Sequence, residues 1–136
     1  MSKWTSRNMP SQSGRSAVVT GTGGLGFEDA LALARAGADV VIAGRNPEKG
    51  AAAVTAIRKA VPGARVRFGR VDLANLLSVG AFAAEIARER DSLDLLINNA
   101  GVMNPPERRT TGDGFELQFG TNYLGHFALT AHLLPL

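Results

Sequence analysis

Residues 16–26 read S-A-V-V-T-G-T-G-G-L-G, and this stretch decides the fold. The first five residues are mostly apolar and include β-branched side chains, which favours a short buried strand. The glycines that follow predict a tight turn. Apolar side chains then recur with the i, i+3, i+4, i+7 spacing of one helix face, at Phe27, Ala30, Leu31 and Ala34. The sequence therefore predicts a strand, a glycine turn and a helix in direct succession.

The same alternation of strand and helix continues along the chain. Short apolar runs predict three more strands, at residues 39–43, 65–71 and 93–97. Helical patterns lie between them, and a last one, apolar on more than one side, covers residues 113–134. Strands that alternate with helices pair in parallel, with helices on both faces. We predict an α/β fold: a three-layer, Rossmann-type doubly wound parallel sheet, incomplete, with about four strands in the order 3-2-1-4.

Composition narrows the class of protein. With 136 residues, 45% of them hydrophobic and 20% charged, the chain has the balance of a soluble globular domain. It contains no cysteine, which excludes disulfides, and no apolar run long enough to span a membrane, so we expect a cytoplasmic protein. The net charge is +3, but Arg65, Arg67 and Arg70 alternate along a predicted strand, as a solvated edge would. We expect no nucleic-acid partner.

The two histidines give no sign of a metal site. His126 and His132 have no carboxylate or cysteine partner at the spacing of metal ligands. Ordinary surface or core placement is therefore favoured over catalysis or metal binding.

The glycine turn is the strongest single signal for a ligand. Residues 21–26 read G-T-G-G-L-G between a strand and a helix, where a G-x-G-x-x-G fingerprint binds the pyrophosphate of a dinucleotide. Glycines let the backbone approach the phosphates, and the helix N-terminus supplies free N–H groups. The alternative is a tight turn without a ligand. The predicted cofactor contacts in this turn are Gly21, Thr22, Gly24, Leu25 and Gly26.

The residue at the end of the second strand indicates whether the dinucleotide is NAD or NADP. An acidic residue there binds the ribose 2′-hydroxyl of NAD, whereas a basic residue favours the 2′-phosphate of NADP. This chain has Arg45, whose guanidinium makes paired, charge-assisted bonds to phosphate. The alternative is a solvated arginine at a helix start. We expect NADP, with NAD as the second possibility.

The chain divides into an arm and one domain. Residues 1–15 are polar, contain Pro and Gly and show no periodicity, which predicts a flexible N-terminal arm. Trp4 either pins this arm to the domain or belongs to a disordered segment. Residues 16–136 contain every predicted strand and helix and form a partial NAD(P)-binding Rossmann domain.

Four short motifs are spread over the chain: T-G at residues 20–21, D-L at 72–73, N-N-A-G at 98–101 and T-N at 121–122. Together with Gly24 and Gly26, they resemble the short-chain dehydrogenase/reductase family. The stretches A-G-R-N-P-E-K-G and D-G-F-E-L-Q-F-G-T-N-Y-L-G-H-F are most similar to its retinol-dehydrogenase-like branch. The resemblance implies a nicotinamide-dependent oxidoreductase that acts on a small alcohol or carbonyl compound.

The resemblance also implies a role for each matching residue. Asp72 would bond the adenine amino group, with Leu73 beside it. Ala100 and Gly101 would line the region of the adenosine and the nicotinamide ribose, and Asn98 would brace the sheet. Asp72 is also compatible with a cap on the following helix.

The catalytic set of the family is only partly matched. Asn122 matches the asparagine that organises the proton-relay water; the alternative is a buried polar residue bonded to backbone. The family's general acid/base is a tyrosine with a lysine four residues later, but Tyr123 is followed at that spacing by Phe127. All lysines come earlier in the chain, at Lys3, Lys49 and Lys59. No Y-x-x-x-K is present.

The glycine turn also departs from the family pattern. The family has three residues between the Thr-Gly pair and the next glycine, whereas only Thr22 and Gly23 intervene here. The spacing is similar to that of the epimerase-like branch, but the third glycine of that branch would fall on Phe27.

These patterns predict an NADP(H)-dependent short-chain oxidoreductase, truncated before its catalytic Ser, Tyr and Lys. The alternative is a catalytically inactive dinucleotide-binding module or remnant. In a truncated chain, the strand at residues 93–97 would be an edge strand, and the last helix would expose Phe119, Phe127 or the Leu133-Leu134 pair. Because exposed apolar edges pair with other chains, we expect self-association.

Overall fold

The computed structural model describes residues 3–136 as a four-stranded sheet with helices on both faces. The strands are β1 (Ser16–Thr20), β2 (Asp39–Gly44), β3 (Val66–Arg70) and β4 (Leu95–Ile97). The helices are α1 (Gly24–Arg35), α2 (Pro47–Ala60), α3 (Leu76–Glu89) and α4 (Gly125–Leu133). The sheet order is β3-β2-β1-β4, and every pairing is parallel. The predicted Rossmann-type fold and its strand order are confirmed.

Alternating side chains of the central strands build a core on each face of the sheet. Val19 and Ile42 belong to the cluster that α1 and α2 cover, whereas Val18 and Val41 belong to the cluster that α3 and α4 cover. Because β1 and β2 are covered on both faces, they read as continuous apolar runs. β4 forms one edge of the sheet, and its three residues are only half-buried.

Two asparagines fix where helices begin at one edge of the sheet. The Asn46 side chain accepts the Lys49 N–H at 2.9 Å, and the Asn75 side chain accepts the Ser78 N–H at 3.1 Å. Pro47 at the first position of α2 adds a backbone angle that already suits a helix. Within residues 3–136, none of the helices has both the length and the apolar character needed to cross a membrane.

The last helix is shorter than the predicted 113–134. Gly114 has a φ of 86° and lies in a turn, and an isolated antiparallel bridge joins Thr110 to Glu116. A π-helical segment, Phe119–Leu124, then precedes α4. The apolar spacing extends into this region, but the turn and the bridge use the backbone groups that a helix would need.

Residues 3–15 lie ahead of β1 and contact the domain at specific points. Gln12 is buried, and its N–H donates to the Ala36 carbonyl oxygen at 2.7 Å. A short 3-10 turn occupies Ser6–Asn8. Trp4 is 69% exposed, so it does not pin the arm. The flexibility of residues 1–15 stays a prediction, and residues 1–2 lie outside the described part of the chain.

Candidate functional site

A cleft of about 680 Å³ opens at the edge of the sheet where β1 and β2 end. It lies where the strand order reverses, between β1 and β4, which is where doubly wound sheets bind ligands. Of the predicted site residues, Gly26, Asn98 and Asn122 lie outside its lining. Those in the lining are Gly21, Thr22, Gly24, Leu25, Arg45, Asp72, Leu73, Ala100 and Gly101.

The two ends of the glycine turn, Gly21 and Gly26, pack too closely for a side chain. Gly21 has a φ of 102°, and its N–H donates to the Ala43 carbonyl oxygen at 2.7 Å. A Cβ on Gly21 would lie 2.6 Å from Asn99 Nδ2, and a Cβ on Gly26 would lie 2.5 Å from the Gly21 carbonyl oxygen. Gly26 is buried, so it serves the site by letting α1 pack onto the end of β1.

The start of α1 presents backbone donors to the cleft. Its N-cap is Gly23, which has no side chain to occupy the N–H groups of the first turn. Nothing lies within 4 Å of where a Cβ on Gly23 or Gly24 would be, so this part of the turn is open. Free N–H groups and the positive end of the helix dipole together suit an anion such as a diphosphate.

Two cations stand on the β2 side of the cleft. Arg45 follows β2, and Lys49 lies in the first turn of α2. Both are exposed, and neither forms an ion pair within residues 3–136. Arg45 was predicted from the sequence pattern, whereas Lys49 was not. The signal was available, because Asn46 and Pro47 fix the helix start and so place Lys49 one turn inside it.

Asp72 lies in the loop after β3 and uses one carboxylate oxygen for local structure. Its Oδ1 accepts the Ala74 N–H at 2.9 Å, and its own N–H donates to Ser78 Oγ at 2.9 Å. Its Oδ2 makes no hydrogen bond within residues 3–136. Asp72 thus caps the turn before α3 and not the helix itself, whose N-cap is Asn75, and one carboxylate oxygen of Asp72 stays available to a ligand in the cleft.

The N-N-A-G segment joins the end of β4 to the end of β1. Asn99 Nδ2 donates to the Thr20 carbonyl oxygen at 2.9 Å, and the N–H groups of Asn99 and Ala100 donate to Thr20 Oγ1 at 2.9 and 3.0 Å. The resemblance assigned the bracing of the sheet to Asn98, and this is corrected. Asn98 is exposed, and its Nδ2 donates to Thr130 Oγ1 at 3.0 Å, because successive residues of an extended chain face opposite sides.

Asn122 closes the loop that follows the N-N-A-G segment. Its Oδ1 accepts the Val102 N–H, and its Nδ2 donates to the Val102 carbonyl oxygen, both at 2.8 Å. A Cβ on Gly101 would lie 3.3 Å from Asn122 Oδ1, so Asn122 borders the cleft without lining it. The side chain bonds backbone, as the alternative interpretation holds, but it is exposed rather than buried.

Thr121, the neighbour of Asn122, lines the cleft and was not predicted. It is 8% exposed, and its hydroxyl has no hydrogen-bond partner among residues 3–136. Sequence patterns do not reveal such a group, because a hydroxyl on a helix usually bonds a backbone carbonyl one turn earlier. No cluster of three or more metal-ligating side chains is found within residues 3–136.

The fold and the segments of the cleft have counterparts in known proteins. A family model for short chain dehydrogenases matches residues 15–136. The chain belongs to the short-chain dehydrogenase family. A Schizosaccharomyces pombe relative, an uncharacterized oxidoreductase, is 46% identical over 134 residues, 98% of this chain and 39% of that protein. Mouse retinol dehydrogenase 13 is 48% identical over 122 residues, 89% of this chain and 36% of that protein.

Two solved structures have the same fold as this chain. A protein of Mycobacterium paratuberculosis superposes with a TM-score of 0.85 at 44% identity, over 98% of this chain and 47% of that one. A short-chain dehydrogenase of Escherichia coli CFT073, solved in complex with NADPH, superposes with a TM-score of 0.78 at 29% identity, over 91% of this chain and 53% of that one. The chain therefore spans about two fifths of the length of its relatives and about half of these solved chains.

Proposed function

We propose that this chain binds NADP(H) and is the cofactor-binding part of an oxidoreductase that interconverts alcohols and carbonyl compounds. The observation that carries the proposal is one cleft that combines a glycine-rich turn, an uncapped helix start and two cations. The E. coli relative solved with NADPH supports the choice of dinucleotide.

Each wall of the cleft suits a different part of NADP(H). The amides of Gly24 and Leu25 would bind the diphosphate, because a helix start offers free donors and no side chain intervenes. Arg45 and Lys49 would bind the 2′-phosphate. Oδ2 of Asp72, which makes no hydrogen bond within residues 3–136, would accept a hydrogen bond from the adenine amino group, as the family resemblance implies.

The far wall would hold the ribose beside the nicotinamide. Ala100 and Gly101 have small side chains or none, so the sugar can approach the backbone there. Asn122 holds the following loop in place through its two hydrogen bonds to Val102. When bound, the nicotinamide supplies or accepts the hydride that separates an alcohol from a carbonyl compound. Asn122 is the one catalytic-set residue for which we propose a role, as the organiser of a proton-relay water.

The second candidate is a dinucleotide-binding module without catalysis. It rests on a sequence observation: Tyr123 has Phe127 and not lysine four residues later. Under this candidate NADPH binds but is not oxidised by aldehydes or ketones, and turnover by the purified chain contradicts it. A cytoplasmic location stays a prediction.

Calorimetric titration with NADPH and NADH tests the cofactor proposal. We expect weak binding with NADPH preferred, because only NADPH carries the 2′-phosphate that Arg45 and Lys49 would bind. Arg45→Ala and Lys49→Ala should each weaken NADPH binding by roughly tenfold, the worth of one charge-assisted bond, and leave NADH unchanged. Arg88→Ala, which removes an exposed arginine of α3, is the matched control. Equal affinity for both dinucleotides would remove the two cations from the account.

A further inference from the structure

His126 is a buried titratable group that cofactor binding does not yet explain. It lies in α4, is 6% exposed, and each ring nitrogen contacts a different segment. Nε2 lies 2.9 Å from Thr20 Oγ1 at the end of β1, and Nδ1 lies 2.9 Å from the backbone carbonyl oxygen of Asn122. The ring therefore connects the central strand to the π-helical segment.

The lone pairs of the Thr20 hydroxyl fix the direction of its bond to His126. Thr20 Oγ1 accepts the N–H groups of Asn99 at 2.9 Å and Ala100 at 3.0 Å. These bonds use both lone pairs, so the hydroxyl has only its proton left to donate. The Nε2 atom of His126, at 2.9 Å, is closer than the competing carbonyl oxygen of Ile97, at 3.3 Å. The proton therefore points to His126.

The same reasoning fixes the tautomer of the ring. A carbonyl oxygen only accepts, so Nδ1 of His126 must carry the proton donated to Asn122. Nε2 then carries no proton and accepts the hydrogen bond that the Thr20 hydroxyl donates. A neutral imidazole with its proton on Nδ1 is the one form that satisfies both contacts.

We propose that His126 is a positioning residue for the cofactor cleft. By accepting the hydrogen bond of the Thr20 hydroxyl at Nε2, it turns the hydroxyl lone pairs towards Asn99 and Ala100 and so holds the cleft wall that Ala100 lines. Without that acceptor, the hydroxyl turns to the Ile97 carbonyl, and one of the two amides loses its bond to Thr20 Oγ1; the Asn99 N–H also contacts the Ile97 carbonyl oxygen at 3.1 Å, whereas the Ala100 N–H has no second acceptor within residues 3–136. The consequence for cofactor affinity rests on the proposed function, whereas the hydrogen-bond arrangement does not.

Two variants separate the two nitrogens of the ring. The Oε1 atom of His126→Gln reaches the Nε2 position and keeps an acceptor for Thr20, whereas Nδ2 of His126→Asn keeps only the donor to Asn122. We expect amide hydrogen exchange at Asn99 and Ala100 to be about tenfold faster in the asparagine variant than in the glutamine variant. Amides of β2 should exchange alike in both. Equal exchange at Asn99 and Ala100, fast or slow, overturns the proposal.

The nitrogen spectrum of the wild-type chain tests the tautomer without any substitution. We expect His126 to show a protonated Nδ1 and a bare Nε2, while the exposed His132 on the same helix serves as the internal control. A protonated Nε2 on His126 at neutral pH overturns the proposal.

NADPH titration of the same variants gives the functional result. We expect the asparagine variant to bind about tenfold more weakly than the glutamine variant. If wild-type protein binds no NADPH, the proposed function fails while the exchange and tautomer results stand. If wild-type protein binds and the two variants bind equally, His126 does not position the cleft.

Discussion

At the scale of single residues, the buried hydroxyl of Thr121 carries a cost that one substitution removes. A buried polar atom without a partner costs about 1–3 kcal/mol, and Thr121 Oγ1 has none among residues 3–136. Thr121→Val keeps the β-branched shape, so we expect the free energy of unfolding to rise by about 1 kcal/mol. Thr121→Ser keeps the hydroxyl and serves as the control. Denaturant unfolding measures both, and a destabilised valine variant would show that the hydroxyl has a partner.

Gly26 offers a second test at this scale. A Cβ there would lie 2.5 Å from both the Gly21 carbonyl oxygen and Asn99 Nδ2, so backbone must move. We expect Gly26→Ala to destabilise the chain by about 1–3 kcal/mol and to weaken NADPH binding. Gly23→Ala, at an extended φ of −141° with nothing within 4 Å, is the stability control. Similar unfolding midpoints for the two variants would contradict this description of the turn.

Sequence patterns predicted the cleft residues whose position depends only on neighbouring residues in the sequence. Arg45 directly follows β2 and Asp72 comes two residues after β3, and the carboxyl ends of parallel strands share one edge, so their position followed from the strand order. Lys49 was missed although Asn46 and Pro47 mark the start of its helix. Thr121 was missed because it lies in the π-helical segment, whose orientation the sequence does not show. Asn98 was given the role of Asn99, since a pair of identical neighbours does not reveal which one faces the sheet.

At the level of elements, Glu116 caps the start of the π-helical segment that leads into α4. Its carboxylate accepts the N–H of Phe119 at 2.8 Å and of Gln118 at 2.9 Å, and these bonds lower the pKa of Glu116 below its usual value. Because the pKa of Glu116 is lower in the folded state than in the unfolded state, the ionised carboxylate stabilises the fold in full at pH values above the unfolded-state pKa. That contribution is lost as the pH falls through the folded-state pKa.

The change Glu116→Gln tests this cap. We expect the variant to have a lower Tm than wild type at pH 7, because a neutral amide is a weaker acceptor at a helix start. The difference in Tm should shrink as the pH falls below 4.5, the ordinary pKa of a glutamate carboxyl. Thermal unfolding between pH 7 and pH 3 measures it, and a difference that grows in acid would contradict the assignment.

Periodicity predicted every strand and the first three helices, because those elements lie between clear turn residues. It failed at the last helix, where residues 113–116 were predicted to be helical but form a turn and a bridge. The π-helical segment was also beyond prediction, since a π turn has no spacing of its own in a single sequence.

At the scale of the whole molecule, one face is apolar and exposed. The rings of Phe119, Tyr123 and Phe127 stack along the last helical region, and each is more than half exposed. β4 adds a sheet edge within the described residues. We predict that the purified chain self-associates, and that Tyr123→Lys in the centre of the stack shifts it towards monomer. Sedimentation at several concentrations checks this, and a concentration-independent wild-type monomer would contradict it.

We propose above all that the glycine turn presents its amides to the diphosphate of a dinucleotide. Titrating labelled protein with NADPH while following every backbone amide by NMR tests it most directly. We predict saturable shifts that are largest at residues 21–25, with smaller ones at Arg45, Asp72 and Ala100. No saturable shift in the turn, or largest shifts at the opposite edge of the sheet, would contradict the account.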